Sequence, residues 1–181
     1  MASWIYGTRP LKGGRVVFSF AAFALLGVGI AAAQLPPRPV IDPARELTAI
    51  KTASVLDDNP ADSMAVQQVC TVCHSSSQFL GTPRSSSRWE DLFGQMARQG
   101  AHPTDTQVEQ IVRYFQRNLT VVNVNTSPME ELGPTLQTGD ETTTAIVMRR
   151  GQKKFTGIAD LAAIPGVDRS VLELLKDRLQ F

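Results

Sequence analysis

Ligating and nucleophilic side chains are scarce in this sequence, with two cysteines and two histidines among 181 residues. So few histidines, with only scattered carboxylates beside them, do not assemble a hydrolytic or nucleophilic site. A tetrahedral zinc centre needs four ligands, and after Cys70, Cys73 and His74 only the distant His102 is left. An excess of one charge is missing too. Beyond residue 33 stand 15 of the 18 Lys+Arg and all 17 Asp+Glu, a net charge of about −2. No global basic field therefore exists to hold nucleic acid or an anionic membrane.

Long apolar runs are missing except at the start. Arg9, Lys12 and Arg15 precede an almost wholly apolar stretch from Val16 to Ala33, and Ala31-Ala32-Ala33 before Gln34 fits a small-residue cleavage site. Residues 1–33 therefore read as a signal peptide, and the rest is expected in the periplasm or another extracytoplasmic, oxidising compartment. The rival is an uncleaved anchor, the one route by which this chain would meet a membrane. Gln34 to Pro43 carries four prolines and reads as an extended tether over 34–43.

What the chain does have is concentrated at residues 70–74, Cys70-Thr71-Val72-Cys73-His74. Two thioether links to haem vinyl groups need thiols on one side of the porphyrin, and residues three apart on a helical turn provide this. The adjacent imidazole then reaches the iron. A thioredoxin-like redox pair would follow a β-strand, and nothing strand-like precedes Cys70; a plain structural disulfide stays open. The expectation is one covalent haem c.

Around this motif the pattern is helical. A short helix is expected over 44–54, and Asn59-Pro60 starts another that runs through Met64 to His74. Residues 75–88 read as a loop. Trp89, Leu92, Phe93 and Met96 then recur at i, i+3, i+4 and i+7, and Gly100-Ala101-His102-Pro103 stops that helix. Thr104 or Asp105 caps the next, whose stripe is Val108, Ile111, Val112, Phe115 and Leu119. A six-coordinate electron-transfer haem needs a second axial ligand, and Met96 is the choice, with His102 as competitor and Met96 as a plain core residue the bland alternative.

Residues 66–119 resemble the short monohaem c-type cytochrome domains found beside bacterial periplasmic quinoprotein and molybdenum dehydrogenases. The resemblance rests on Cys70 to His74, Arg84 and Arg88, Trp89, Met96, Gly100-Ala101 and the run Ile111-Val112-Arg113-Tyr114-Phe115. It implies His74 and Met96 as the axial pair and one-electron transfer as the role. Trp89 is expected at the haem edge, and Arg84 and Arg88 are candidates for the haem propionates, with a solvated basic loop as the alternative.

Residues 122–179 resemble ComEA-like tandem helix-hairpin-helix domains. The resemblance is carried by Val122-Asn123-Val124-Asn125-Thr126-Ser127, Glu130-Glu131-Leu132 and the stretch from Phe155 to Val167. Four or five short helices are expected: Pro128 near the first helical position, a helix over 141–150 ended by Gly151, and a last one over 169–179. In that family, hairpin turns offer backbone N–H groups to DNA phosphates. Here Asp140, Glu141 and Asp168 stand at the turns, so carboxylates would repel the ligand. Arg149-Arg150 and Lys153-Lys154 are the best remaining phosphate contacts.

The expected architecture is all-α: a haem-bearing cytochrome domain over 44–120 followed by a tandem helix-hairpin-helix domain over 121–181. The expected protein is a one-electron carrier and not itself an enzyme, although it fits the cytochrome subunit of an oxidoreductase. It would dock through its hairpin domain on a redox protein such as a periplasmic dehydrogenase, an oxidase or another cytochrome. The alternatives are an exported, competence-like DNA-binding protein carrying a haem domain, and a haem enzyme or gas sensor with an open iron position.

Overall fold

Helix starts in this chain are written in proline and short polar side chains. A computed structural model describes residues 40–54, 56 and 59–181; the expected signal segment and residues 34–39 of the expected tether lie outside the described residues. Helix α1, Pro43–Thr52, takes Asp42 as its N-cap, and helix α2, Pro60–Cys70, takes Asn59. In both, proline follows the cap, where its missing N–H costs nothing and its fixed φ suits the helix. Asp42 and Pro43 thus belong to α1 and not to the tether.

A four-residue helix α3, Ser77–Leu80, and the first turn of α4, Ser86–Arg98, occupy the segment expected to be a loop. Helix α5, Asp105–Leu119, begins with a capping box between Thr104 and Gln107. These five helices enclose one core, in which Ile50, Val66, Phe79, Trp89, Tyr114 and Phe115 are buried. Helix α2 is tied to α5 by Asp62, which accepts from Arg113 Nε at 3.2 Å and Nη2 at 2.9 Å. Tyr114 ties α5 to α1, its hydroxyl donating to the Ile50 carbonyl at 2.8 Å.

Four further helices build a second core: α6 Met129–Leu136, α7 Asp140–Gln152, α8 Ile158–Leu161 and α9 Arg169–Leu175. Leu132, Leu136, Ile146, Phe155, Leu161, Leu172 and Leu175 are buried there. Helices α6 and α7 are joined by a turn through Gln137 with φ 54°, and α8 and α9 by a turn through Gly166 with φ 85°. A Cβ at Gly166 would collide with Thr142 Oγ1 of α7, so this glycine is needed for close approach as well as for its backbone.

Two expectations change, the ends of α7 and of the last helix. Gly151 does not end α7, which runs to Gln152. Pro128, expected near the first helical position, is the N-cap of α6, one residue before it, and Glu130 and Glu131 stand in the first turn. The last helix stops at Leu175 and is followed by a 3-10 turn, Lys176–Arg178. Its continuation is strand β2, Leu179–Gln180, which pairs in parallel with β1, Val122–Asn123. These four residues are the only strands among the described residues, whose other regular elements are all helices.

Candidate cofactor site

Helix α2 ends at Cys70 because Thr71 turns back on it. The Thr71 N–H and hydroxyl both donate to the Gln67 carbonyl, at 3.2 and 2.6 Å. Cys70 therefore closes the helix, while Thr71 to Cys73 form a turn and not the continuous helix the sequence suggested. The two thiols sit in different surroundings. Burial pushes the Cys70 thiol up to about 12, whereas Cys73 is exposed, and no disulfide joins them.

His74 follows the turn, with Nδ1 3.3 Å from the Ser75 carbonyl and its ring edge-on to Phe79 at 6.2 Å. A carbonyl only accepts, so this contact assigns the proton to Nδ1 and leaves the lone pair on Nε2, the arrangement that orients metal-bound imidazoles. The segment is held from behind by Glu46 of α1. Its carboxylate accepts from Ser76 N at 2.7 Å and from Ser75 Oγ at 3.0 Å, and these bonds, the Ser76 pair foremost, lower its pKa.

Across from α2 lies the apolar face of α4. Trp89 is buried, Leu92 and Phe93 are half-buried and Met96 is 37 % exposed, so the stripe expected from the sequence is only partly covered by protein. Helix α4 meets α5 through rings: Phe115 stands edge-on to Trp89 at 4.7 Å and to Phe93 at 5.0 Å. Just past Met96 the helix closes in a Schellman arrangement, with Gly100 at φ 98°, Gly100 N donating to Ala97 O at 3.1 Å and Ala101 N to Met96 O at 3.0 Å. The Gly-Ala pair thus fixes the backbone of Met96.

Between α2, α4 and α5 is a cavity of about 290 Å³. Cys70, Cys73, His74, Arg84, Trp89 and Met96 all line it, together with Phe79, Leu92, Phe93, Ile111, Val112 and Phe115. Arg88 does not; it is exposed and lies 3.9 Å from Asp91 on its own helix. His102 is exposed and also absent from the lining. Among the described residues, no three of His, Cys, Asp and Glu gather into an ion cage.

The lining fits the haem expected from the sequence. Apolar walls suit a porphyrin, and two thiols, an imidazole and a thioether supply the donor set. The decisive detail is Arg84. Its guanidinium lies 5.4 Å from the Trp89 ring centroid, and its Nε is buried with no hydrogen-bond partner among the described residues. A buried guanidinium nitrogen left unpaired calls for an acceptor, and an anionic propionate in this cavity would supply one.

The turns before α7 and α9, where the sequence resemblance would put phosphate contacts, look different. Asp168 caps α9 by accepting from Ser170 N at 2.8 Å, which places a carboxylate where a phosphate would bind. Arg150 donates to the Val124 and Ser127 carbonyls at 3.0 and 2.6 Å. Arg149 donates to the Lys153 carbonyl at 2.6 Å and to Asp160 at 3.4 Å. Both arginines expected as phosphate contacts are therefore used inside the fold, while Lys153 and Lys154 are exposed.

Sequence reasoning missed Glu46, whose helix carries no strong pattern, and Arg178, a buried arginine in the last turn. Neither carried a local signal: Glu46 meets Ser76 from 30 residues away and Arg178 meets Thr120 from 58 away. Compared with known proteins, the chain matches no protein-family model, no curated protein and no solved structure.

Proposed function

We propose that this chain is an exported monohaem c-type cytochrome, a periplasmic one-electron carrier built of a small cytochrome domain and a tandem helix-hairpin-helix domain that docks it to a redox protein. The observation that carries the proposal is the convergence of Cys70, Cys73, His74 and Met96 on one apolar cavity that also holds the unpaired Nε of Arg84. When bound, a haem there supplies a metal that changes oxidation state by one electron.

The chain's own residues do the rest. Cys70 and Cys73 would offer thiols for two thioether links, and His74 through Nε2 and Met96 through Sδ would hold the iron. Trp89, Phe93 and Phe115 exclude water from the ring, and Arg84 faces an anionic edge. Electron transfer asks for no proton donor or acceptor, and the cavity lining contains no carboxylate. The preference for Met96 over His102 rests on lining: the thioether borders the cavity and the second imidazole does not.

The hairpin half supports docking to protein better than binding to DNA. Its second turn is self-capped by Asp168, its first-turn acids Asp140 and Glu141 head α7, and Arg149 and Arg150 are internally bonded. Phosphate contacts need free cations beside helix N-termini.

Substituting Met96→Ala in the haem-loaded protein tests the ligand assignment. Loss of the weak sulfur-to-iron charge-transfer band and conversion to a high-spin or open-site spectrum is expected. A band that persists unchanged would remove Met96 from the site.

A further inference from the structure

The C-terminal end of α5 is capped from two sides. On the cavity side, the Leu119 carbonyl accepts from Arg84 N at 3.1 Å and from Trp89 Nε1 at 3.0 Å, and Val121 N donates to the Arg84 carbonyl at 2.9 Å. On the other side, Arg178 donates through Nη2 to the Arg117 carbonyl at 2.7 Å and through Nη1 to the Thr120 carbonyl at 3.3 Å. Thr135 of α6 adds a bond to the Gln116 carbonyl at 3.3 Å. The strand that leaves α5 is then pinned by β2, with Val124 N donating to Gln180 O at 2.9 Å.

Arg178 is 5 % exposed, and its partners among the described residues are main-chain carbonyls and no carboxylate. Burial pushes its guanidinium down to about 10, and the carbonyl end of a helix is the end of the dipole that favours a cation. Burying a guanidinium is costly, and a neutral side chain could have filled the same volume. The cost is met at Thr120, the residue whose backbone is bridged on its other side to Arg84.

Resting on the haem reading above, we propose that Arg178 is a positioning residue for the haem pocket, which fixes the exit strand of α5 and through it Arg84 and Trp89, so that the hairpin half sets the potential of the haem it adjoins. Loosening that strand frees Arg84 and admits water to the pocket edge. Water stabilises the more highly charged oxidised centre, so the potential falls. The hairpin half is then part of the redox site's frame as well as a docking element.

The test uses the full-length, haem-loaded protein with Arg178→Met and Arg178→Lys, and Arg169→Gln as a control for losing an exposed positive charge. Covalent haem content is measured first; an unloaded wild-type protein would refute the haem reading itself, separately from this inference. In loaded protein, Arg178→Met should lower the midpoint potential, Arg178→Lys should lower it less, and Arg169→Gln should leave it unchanged. Because Arg178 acts through Arg84, the Arg178→Met shift should shrink in an Arg84→Gln background. A wild-type potential in a folded Arg178→Met variant, or full additivity with Arg84→Gln, would overturn the proposal. If Arg178→Met does not fold, Arg178→Lys decides alone: a lowered potential supports the proposal and an unchanged one overturns it.

Discussion

Glu46 offers the sharpest test of how the fold supports the haem motif. Replacing it with glutamine keeps the shape and removes the charge that accepts from the buried Ser76 N–H at 2.7 Å and from Ser75 Oγ at 3.0 Å. Hydrogen bonds to a charged acceptor contribute about 1.5–3 kcal/mol each, and neutral ones about 0.5–1.5 kcal/mol. Glutamine retains one acceptor oxygen, so Glu46→Gln should cost about 1–3 kcal/mol at neutral pH. The sign of the pH dependence follows from the lowered pKa, for which the Ser76 side-chain bond is the leading cause. A carboxylate depressed in the folded state contributes stability above its unfolded value near 4.5, and that contribution is lost as pH falls through the folded value. Urea denaturation followed by helix circular dichroism should therefore show a gap between wild type and variant at neutral pH that closes in acid. Equal midpoints at neutral pH, or a gap constant into acid, would refute the argument.

Two further outcomes follow from burial and backbone geometry. In haem-free protein, the Cys70 thiol, raised to about 12 by burial, holds roughly one thiolate in ten thousand at pH 8; iodoacetamide should label exposed Cys73 first and Cys70 at least about a hundredfold more slowly, and equal rates would contradict the described burial. Gly166→Ala places a Cβ on Thr142 Oγ1 at φ 85° and should cost about 2–3 kcal/mol by denaturant titration. Adding Thr142→Ala should recover the steric share and leave the backbone share.

Much of the candidate site was legible because its signals are local. The thiol pair and imidazole lie within five residues, the Trp89 to Met96 stripe needs only helical periodicity, and Gly100-Ala101 marks a helix end whose φ of 98° only glycine adopts readily. What stayed hidden depends on pairing across the chain. Glu46 reaches Ser75 and Ser76 from thirty residues away, Arg178 reaches Thr120 from 58 away, and the β1–β2 pair joins Val122 to Leu179. No periodicity within a window encodes such contacts. Arg84 and Arg88 looked equivalent as basic loop residues, yet one lines the cavity and the other faces solvent. The backbone decides this: Arg84 is bridged to Thr120, whereas Arg88 sits in the first turn of α4.

A covalent haem on Cys70 and Cys73 is open to a direct check by intact-mass spectrometry. The chain is expressed with the c-type haem attachment machinery in an oxidising compartment, denatured and weighed. The expected result is the polypeptide plus one haem that survives denaturation, and bare polypeptide for Cys70→Ala with Cys73→Ala. A wild-type chain recovered at its bare mass, or one whose haem leaves on denaturation, would contradict the account.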